Sequence, residues 1–233
     1  MAKKTPTPPP ASPSAPSGKP NGGGFGCPFA RRRNRYHHGD LAQALIAAVR
    51  VLVERDGAEK LSISEACRMA GVSTAAPYKH FKDRPAILRA LCREGFRDLG
   101  QAMRTAVASV PAPGPGRLAA LGKAYFAFAQ ANPGVFRVMF GMKREIGDPE
   151  DTETHEVAHD TMTIVIGEAA AAIGESPPGE ESKGLACVLW TFVHGVATLH
   201  LDGDYEAAEI EVDTDGMIDL AAHRLIPADR KRP

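Results

Sequence analysis

His155, Glu156 and His159 stand in the order H-E-x-x-H. On a helix the two imidazoles fall one turn apart, where they can hold zinc while the carboxylate serves as general base. The longer form of that motif asks for Gly at 162 and His at 165, where the chain has Met162 and Val165. A more distant third ligand, Glu175 or Glu180, falls in a Gly- and Pro-containing loop, and the motif opens its helix beside an acidic stretch without the apolar flanks that bury a catalytic zinc. A solvated helix face, open to adventitious metal, is therefore expected, with a zinc-dependent hydrolase as the alternative. No cofactor is expected, and spacing offers no Ser/His/Asp or Cys/His set. His194 and His200 lie on a largely apolar stretch, and His194 is a candidate for contact with a small molecule. Tyr125, Phe128, Phe136, Met139, Phe140 and Trp190 recur at helical spacing as core residues, and the same residue types line ligand pockets.

A second chemistry is carried by LSISEACRMAGVSTAAPYKHFKDRPAI, Leu61 to Ile87. Ser62 and Glu65 have the spacing of a capping box, in which each side chain satisfies a backbone N–H left free by the first helical turn. Ile63, Ala66, Met69 and Ala70 follow at helical spacing, and Gly71 suits the positive φ that ends many helices. Ser73 is placed to cap a second short helix, expected from about Thr74 to Phe81. That segment is dense in polar tips and aromatic rings, which suits a groove better than a core. A recognition helix enters the major groove of DNA and reaches base edges and phosphates from its N-terminal half. Thr74, Ala75 and His80 are candidates for base contact or support, and Tyr78, Lys79, Lys82 and Arg84 for positioning on phosphates. Pro77 falls in the first turn, where a missing N–H is tolerated. Asp83 is placed to cap the next helix.

These residues, AGVSTAAPYKHFKDRPAIL with YHHGDLAQALIAAVRVLVERDG upstream, resemble the DNA-binding domain of the TetR family of transcriptional regulators over roughly 36–96. Family members commonly have Leu where this chain has Pro77. The pattern Trp190-x-x-x-His194-Gly195, with NPGVFRVMFG before it, resembles the C-terminal domain of a subgroup named for its Trp-His-Gly signature. The resemblance implies a homodimer on a palindromic operator in double-stranded DNA, released by a small-molecule effector held in the C-terminal half. A repressor is expected rather than an activator. An effector-independent DNA-binding dimer is a further alternative.

Charge agrees with that polarity. The formal net charge is zero, but residues 1–100 hold 17 Lys and Arg against 8 Asp and Glu, and residues 101–233 hold 11 against 20. A basic end suits phosphate, which supplies most sequence-independent affinity. Residues 1–30 are rich in Pro, Ser and Gly and are expected to be disordered. Their GGGFG is not a phosphate loop, because no strand precedes it and no Lys-Ser or Lys-Thr follows. Arg31, Arg32, Arg33 and Arg35 then form a basic arm suited to a DNA backbone or minor groove. Cys27, Cys67, Cys92 and Cys187 are widely spaced, as in reduced and mostly buried thiols. No apolar run is expected to span a bilayer, no secretion signal opens the chain, and a cytoplasmic location is expected.

The elements that must position these residues are all helices. Asp40 is expected to cap a first helix ending near Asp56, with Leu41, Leu45, Val49, Leu52 and Val53 on its apolar side. A long helix from about 84 to 110 should act as lever between the halves, and PAPGPG at 111–116 breaks the chain. Helices are expected over 118–131, 133–142, 154–173 and 183–201, the last apolar nearly all round and so buried on more than one side, and a final one to about 225. The expected class is all-α. Its parts are a tail at 1–30, a helix-turn-helix domain at 31–97 with its motif at about 61–81, a regulatory and dimerisation domain at 98–226, and a basic tail at 227–233.

Overall fold

The computed structural model describes residues 38–142, 147–149 and 151–226. The Pro/Gly/Ser-rich tail, the basic arm with Arg32, Arg33 and Arg35, and the C-terminal basic tail lie outside the described residues. Among the described residues the chain is all helical.

Helix α1, His38–Asp56, begins two residues ahead of Asp40, which is therefore inside the first turn and not its cap. It buries Leu45, Val49, Leu52 and Val53 almost completely. Each such side chain contributes about 1.5–3 kcal/mol relative to an exposed one, which makes this face the base of the N-terminal core. Helix α2, Ile63–Met69, packs on it. Its inward residues are Ala66 and Cys67, while Met69, expected on that face, is exposed. Only half of the expected capping box forms. The Glu65 N–H donates to the Ser62 hydroxyl, but the Glu65 carboxylate is drawn to Arg55 at 3.1 Å. At the other end Gly71, at φ +69°, closes α2, and the Val72 and Gly71 N–H groups donate to the carbonyls of Cys67 and Arg68. Two otherwise orphaned carbonyls are satisfied, and the chain turns.

The segment after that turn departs from expectation. No α-helix spans Thr74 to Phe81, which holds a single 3-10 turn at Pro77–Lys79 without a side-chain cap from Ser73. Up to His80 its bonds run three residues back, from Ala76 N–H to Ser73, from Lys79 N–H to Ala76 and from His80 N–H to Pro77. Pro77 is the physical reason: it has no N–H to bond Ser73, so the α-type ladder cannot start there. Pro77 is buried instead.

Helix α3, Arg84–Ala108, follows, with the Asp83 carboxylate accepting from the Ala86 N–H at 2.8 Å. Replacing Asp83 with Ala is expected to cost about 1 kcal/mol. Chemical denaturation would read this as a lower midpoint at unchanged slope. The helix runs unbroken across the boundary expected at 97–98 and packs on α1 at one end and on the C-terminal helices beyond. Those are α4, Pro115–Ala131; α5, Pro133–Gly141; α6, Thr152–Ile173; α7, Glu180–Leu201; the single-turn α8, Asp204–Ala207; and α9, Thr214–Leu225.

Helix α7 starts three residues earlier than expected, and it is not buried on several sides. Val193, Val196 and Ala197 face α4, α6 and α9, while Val188 and Leu199 remain open, Val188 at 53% exposure. Contrary to expectation, α7 is long and apolar enough by length and composition to cross a membrane. It packs in the helical core, and its apolarity serves a buried face and a second, uncovered one.

Candidate functional site

The turn after Gly71 presents Thr74, Ala75, Tyr78, Lys79 and His80 to solvent, with Tyr78 61% exposed. Pro77 points inward, and Phe81 packs half-buried against the core. The His80 and Phe81 N–H groups both donate to the Pro77 carbonyl, at 2.9 and 2.8 Å. Buried Pro77 and half-buried Phe81 thus hold an outer row of polar tips. A phenol ring kept in water is an apolar surface without a protein partner, suited to a sugar-phosphate backbone or a base. Lys82 is exposed beside it. Arg84 is placed differently: its guanidinium donates to the carbonyls of Ala58 and Glu59. It braces the loop between α1 and α2. Ser62 is exposed and occupied with capping α2.

Far along α3 lies a cavity of about 460 Å³ between α3, α4, α5, α6 and α7. Phe96, Leu99 and Met103 form one wall and Leu121, Met139 and Phe140 another. Of the aromatic and sulfur residues singled out in the sequence, Tyr125, Met139, Phe140 and Trp190 line it. Phe128 is buried elsewhere, and Phe136 and His194 stand behind the lining. His194 ties that wall together. Its ring lies 4.9 Å from Phe140, 5.5 Å from Phe136 and 6.0 Å from Trp190, and its Nδ1 is 2.8 Å from the Tyr125 hydroxyl. Burial pushes the Tyr125 phenol well above its ordinary range, against a smaller opposing effect of its hydrogen bond with Trp190. Tyr125 is therefore a neutral hydrogen-bonding group.

One rim is polar. Asp151 caps α6 by accepting from the Thr154 N–H at 3.1 Å and its hydroxyl at 2.7 Å, and faces Arg89 at 3.3 Å and Arg93 at 3.2 Å. Burial alone would raise the Asp151 carboxyl. The Thr154 bonds and the Arg93 and Arg89 guanidiniums outweigh it and hold the group below the usual carboxylate range.

Residues 118–225 match the family of tetracycline repressor-like C-terminal domains. A solved protein of unknown function from Rhodococcus sp. RHA1 is 34% identical, with a TM-score of 0.69 over 82% of this chain and 96% of that one. Residues 118–225 thus belong with the tetracycline repressor-like C-terminal domains. The same fold recurs in a TetR-family transcriptional regulator from Streptomyces coelicolor, at 18% identity and TM-score 0.62 over 80% of this chain and 79% of that one. It recurs again in the regulator FadR of Bacillus subtilis in complex with stearoyl-CoA, at 16% identity and TM-score 0.59 over 79% of this chain and 97% of that one. No curated protein matches the sequence.

The H-E-x-x-H residues occupy the first turns of α6. His155, Glu156 and His159 are exposed, and among the described residues no group of three His, Cys, Asp or Glu is placed to hold a metal. The zinc-hydrolase alternative gains no support. His155 does line the cavity, together with Ala158, Thr161, Met162 and Val165 of the same helix. Sequence reasoning missed this wall because the metal motif drew its attention outward. The signal was present: Ala158 within the motif and Met162 and Val165 after it recur at helical spacing.

The two halves meet at the start of α5. The two Glu54 carboxylate oxygens on α1 each accept one N–H, from Gly134 at 2.8 Å and from Val135 at 2.9 Å. Arg50 of α1 bonds Asp98 of α3 and reaches Asn132 at 3.4 Å. A charged acceptor at a helix N-terminus makes a strong, directional joint. The same nine-residue helix carries Met139 and Phe140 into the cavity wall.

Proposed function

We propose that this chain is a DNA-binding transcriptional repressor that acts as a homodimer on a palindromic operator and is released by a small-molecule effector. One observation carries the reading: α5 touches the cavity through Met139 and Phe140 and the N-terminal domain through Gly134 and Val135. A ligand that reshapes the cavity wall moves the helix on which α1 is seated. Its coupling free energy is its preference for the conformation that does not fit DNA. The arm at Arg32, Arg33 and Arg35 would add phosphate contacts beside Tyr78, Lys79 and Lys82. Thr74, Ala75 and His80 would face the bases. The resemblance of Trp190, His194 and Gly195 to the Trp-His-Gly subgroup belongs to this reading, with Trp190 and His194 supporting the cavity wall. A cytoplasmic location does as well. The acyl chain of the stearoyl-CoA in the Bacillus subtilis FadR structure supports an effector with a long apolar part.

The dimer would form through the open faces of α7 and α9, where Val188, Leu199 and Leu220 are exposed without a partner. Such a patch is typical of an interaction surface. With Val188→Glu and Leu220→Glu together, sedimentation is expected to show a shift from dimer to monomer with the helical spectrum retained. A variant that stays dimeric would place the interface elsewhere. The whole reading is tested by capturing genomic DNA fragments on the purified protein at two salt concentrations. Recovery of a few short palindromes that persist at the higher salt supports a specific regulator, while sequence-blind, salt-sensitive binding overturns it.

A further inference from the structure

We infer that the cavity selects an uncharged, largely apolar ligand and that Asp151 is the residue that excludes anions; this rests on the reading above that the cavity holds the effector. At about 460 Å³ the space admits a molecule of roughly fifteen heavy atoms, taking about 30 Å³ for each water- or methylene-sized group. Apart from its rim the lining is apolar, with the Tyr125 hydroxyl bonded to His194 and Trp190. Among the described residues no buried side-chain nitrogen or oxygen lacks a hydrogen-bond partner. The buried lining therefore holds no donor or acceptor in reserve for a ligand's charge, and the exposed His155 imidazole stands at its edge.

The rim has the same character. The described lining includes one guanidinium, Arg89, against two carboxylates, Asp148 and Asp151. Arg89 pairs with Asp151 at 3.3 Å and Asp148 at 3.6 Å, and its side chain is only 15% exposed. Arg93, the next cation behind it, is shared between Asp151 and Glu153. A carboxylate or phosphate entering here would meet two like charges and would have to compete with both Asp148 and Asp151 for Arg89, leaving Asp151 to Arg93 alone in a confined site. A cationic head gains little, because both carboxylates are already paired. A hydroxyl, ether or ketone meets neither cost. The rim therefore discriminates by charge, while the apolar walls supply affinity.

The test uses the purified full chain and four probes sharing a ten-carbon chain, each below its micelle concentration: 1-decanol, decanoate, decylammonium and decanoyl-CoA. Calorimetry is expected to rank 1-decanol first, by about tenfold or more over each charged probe, since truncated pairing of a buried charge is strongly unfavourable. Asp151→Asn keeps the α6 cap, because Asn caps as well as Asp. It removes the nearer of the two charges that hold Arg89. In that variant decanoate is expected to gain at least about fivefold on 1-decanol at unchanged helical content. A wild-type protein that binds decanoate, decylammonium or decanoyl-CoA as tightly as 1-decanol overturns the selectivity and leaves the effector cavity standing. No binding of any probe overturns both. An unchanged decanoate-to-decanol ratio in Asp151→Asn removes Asp151 from the selecting role.

Discussion

A Tyr78→Ala, Lys79→Ala double variant is expected to keep its fold and dimer and to lose operator affinity by on the order of a hundredfold or more. Both side chains are exposed, and Tyr78 packs on nothing that the fold needs. Their removal leaves Pro77 and Phe81 in place, so thermal stability should change by less than about 0.5 kcal/mol. In a dimer each substitution is read twice. Two lysines lost from phosphates lower the slope of log affinity against log salt by roughly two, and the lost Tyr contacts add to the deficit. Fluorescence anisotropy of a labelled operator at several salt concentrations measures both quantities. If affinity and slope remain those of the parent protein, the exposed row at 74–80 does not face DNA, and the basic arm becomes the next segment to vary.

How much of this molecule is legible in its sequence depends on how local the cause is. The α1 core face, the Gly71 turn, the Asp83 cap and the run of α3 through the middle of the chain are set by residues within one or two turns of each other, and the sequence shows them. The segment at 74–81 is also local, yet its helical reading fails, because an α-helix begun after Ser73 would need an N–H at Pro77 to bond the Ser73 carbonyl, and proline has none. Burial of α7 was overestimated because an apolar surface looks the same in sequence whether it faces a core or an uncovered side. The cavity is only partly legible: α4, α5 and α7 advertise their aromatic residues, whereas α3 and α6 contribute through residues that read as ordinary core or as part of a metal motif. The charge-paired rim joins Arg89 to Asp151 and Arg93 to Asp151 and Glu153, about sixty positions apart, and no spacing rule reaches that far.

The joint between α1 and α5 is the least local feature of all, and it carries the second large expectation. Gly134 lies in a helix, where Ala ordinarily stabilises by up to about 1 kcal/mol. At this position the sign should reverse. A Cβ on Gly134 would sit 2.6 Å from the Val53 carbonyl oxygen and 3.0 Å from the Glu54 Cα, both backbone atoms of α1 that have no rotamer to yield. Overpacking of this kind costs about 1–3 kcal/mol, and here it also pushes the Glu54 carboxylate away from the two N–H groups it accepts. Those charge-assisted bonds contribute further, on the order of 1 kcal/mol each. Gly134→Ala should therefore lower the melting temperature by roughly 2–4 °C per kcal/mol lost in a chain of this size. Gly167→Ala provides the matched control, since Gly167 lies on an exposed stretch of α6 with nothing within 4 Å of the added Cβ. That variant should melt slightly higher than the parent. Opposite signs would establish that α5 is seated on α1 by direct backbone contact, and Gly134→Ala should then also weaken operator binding without touching a DNA-facing residue. If both glycines respond alike, the seat is loose, and a ligand in the cavity would have to act on α1 through α3 instead.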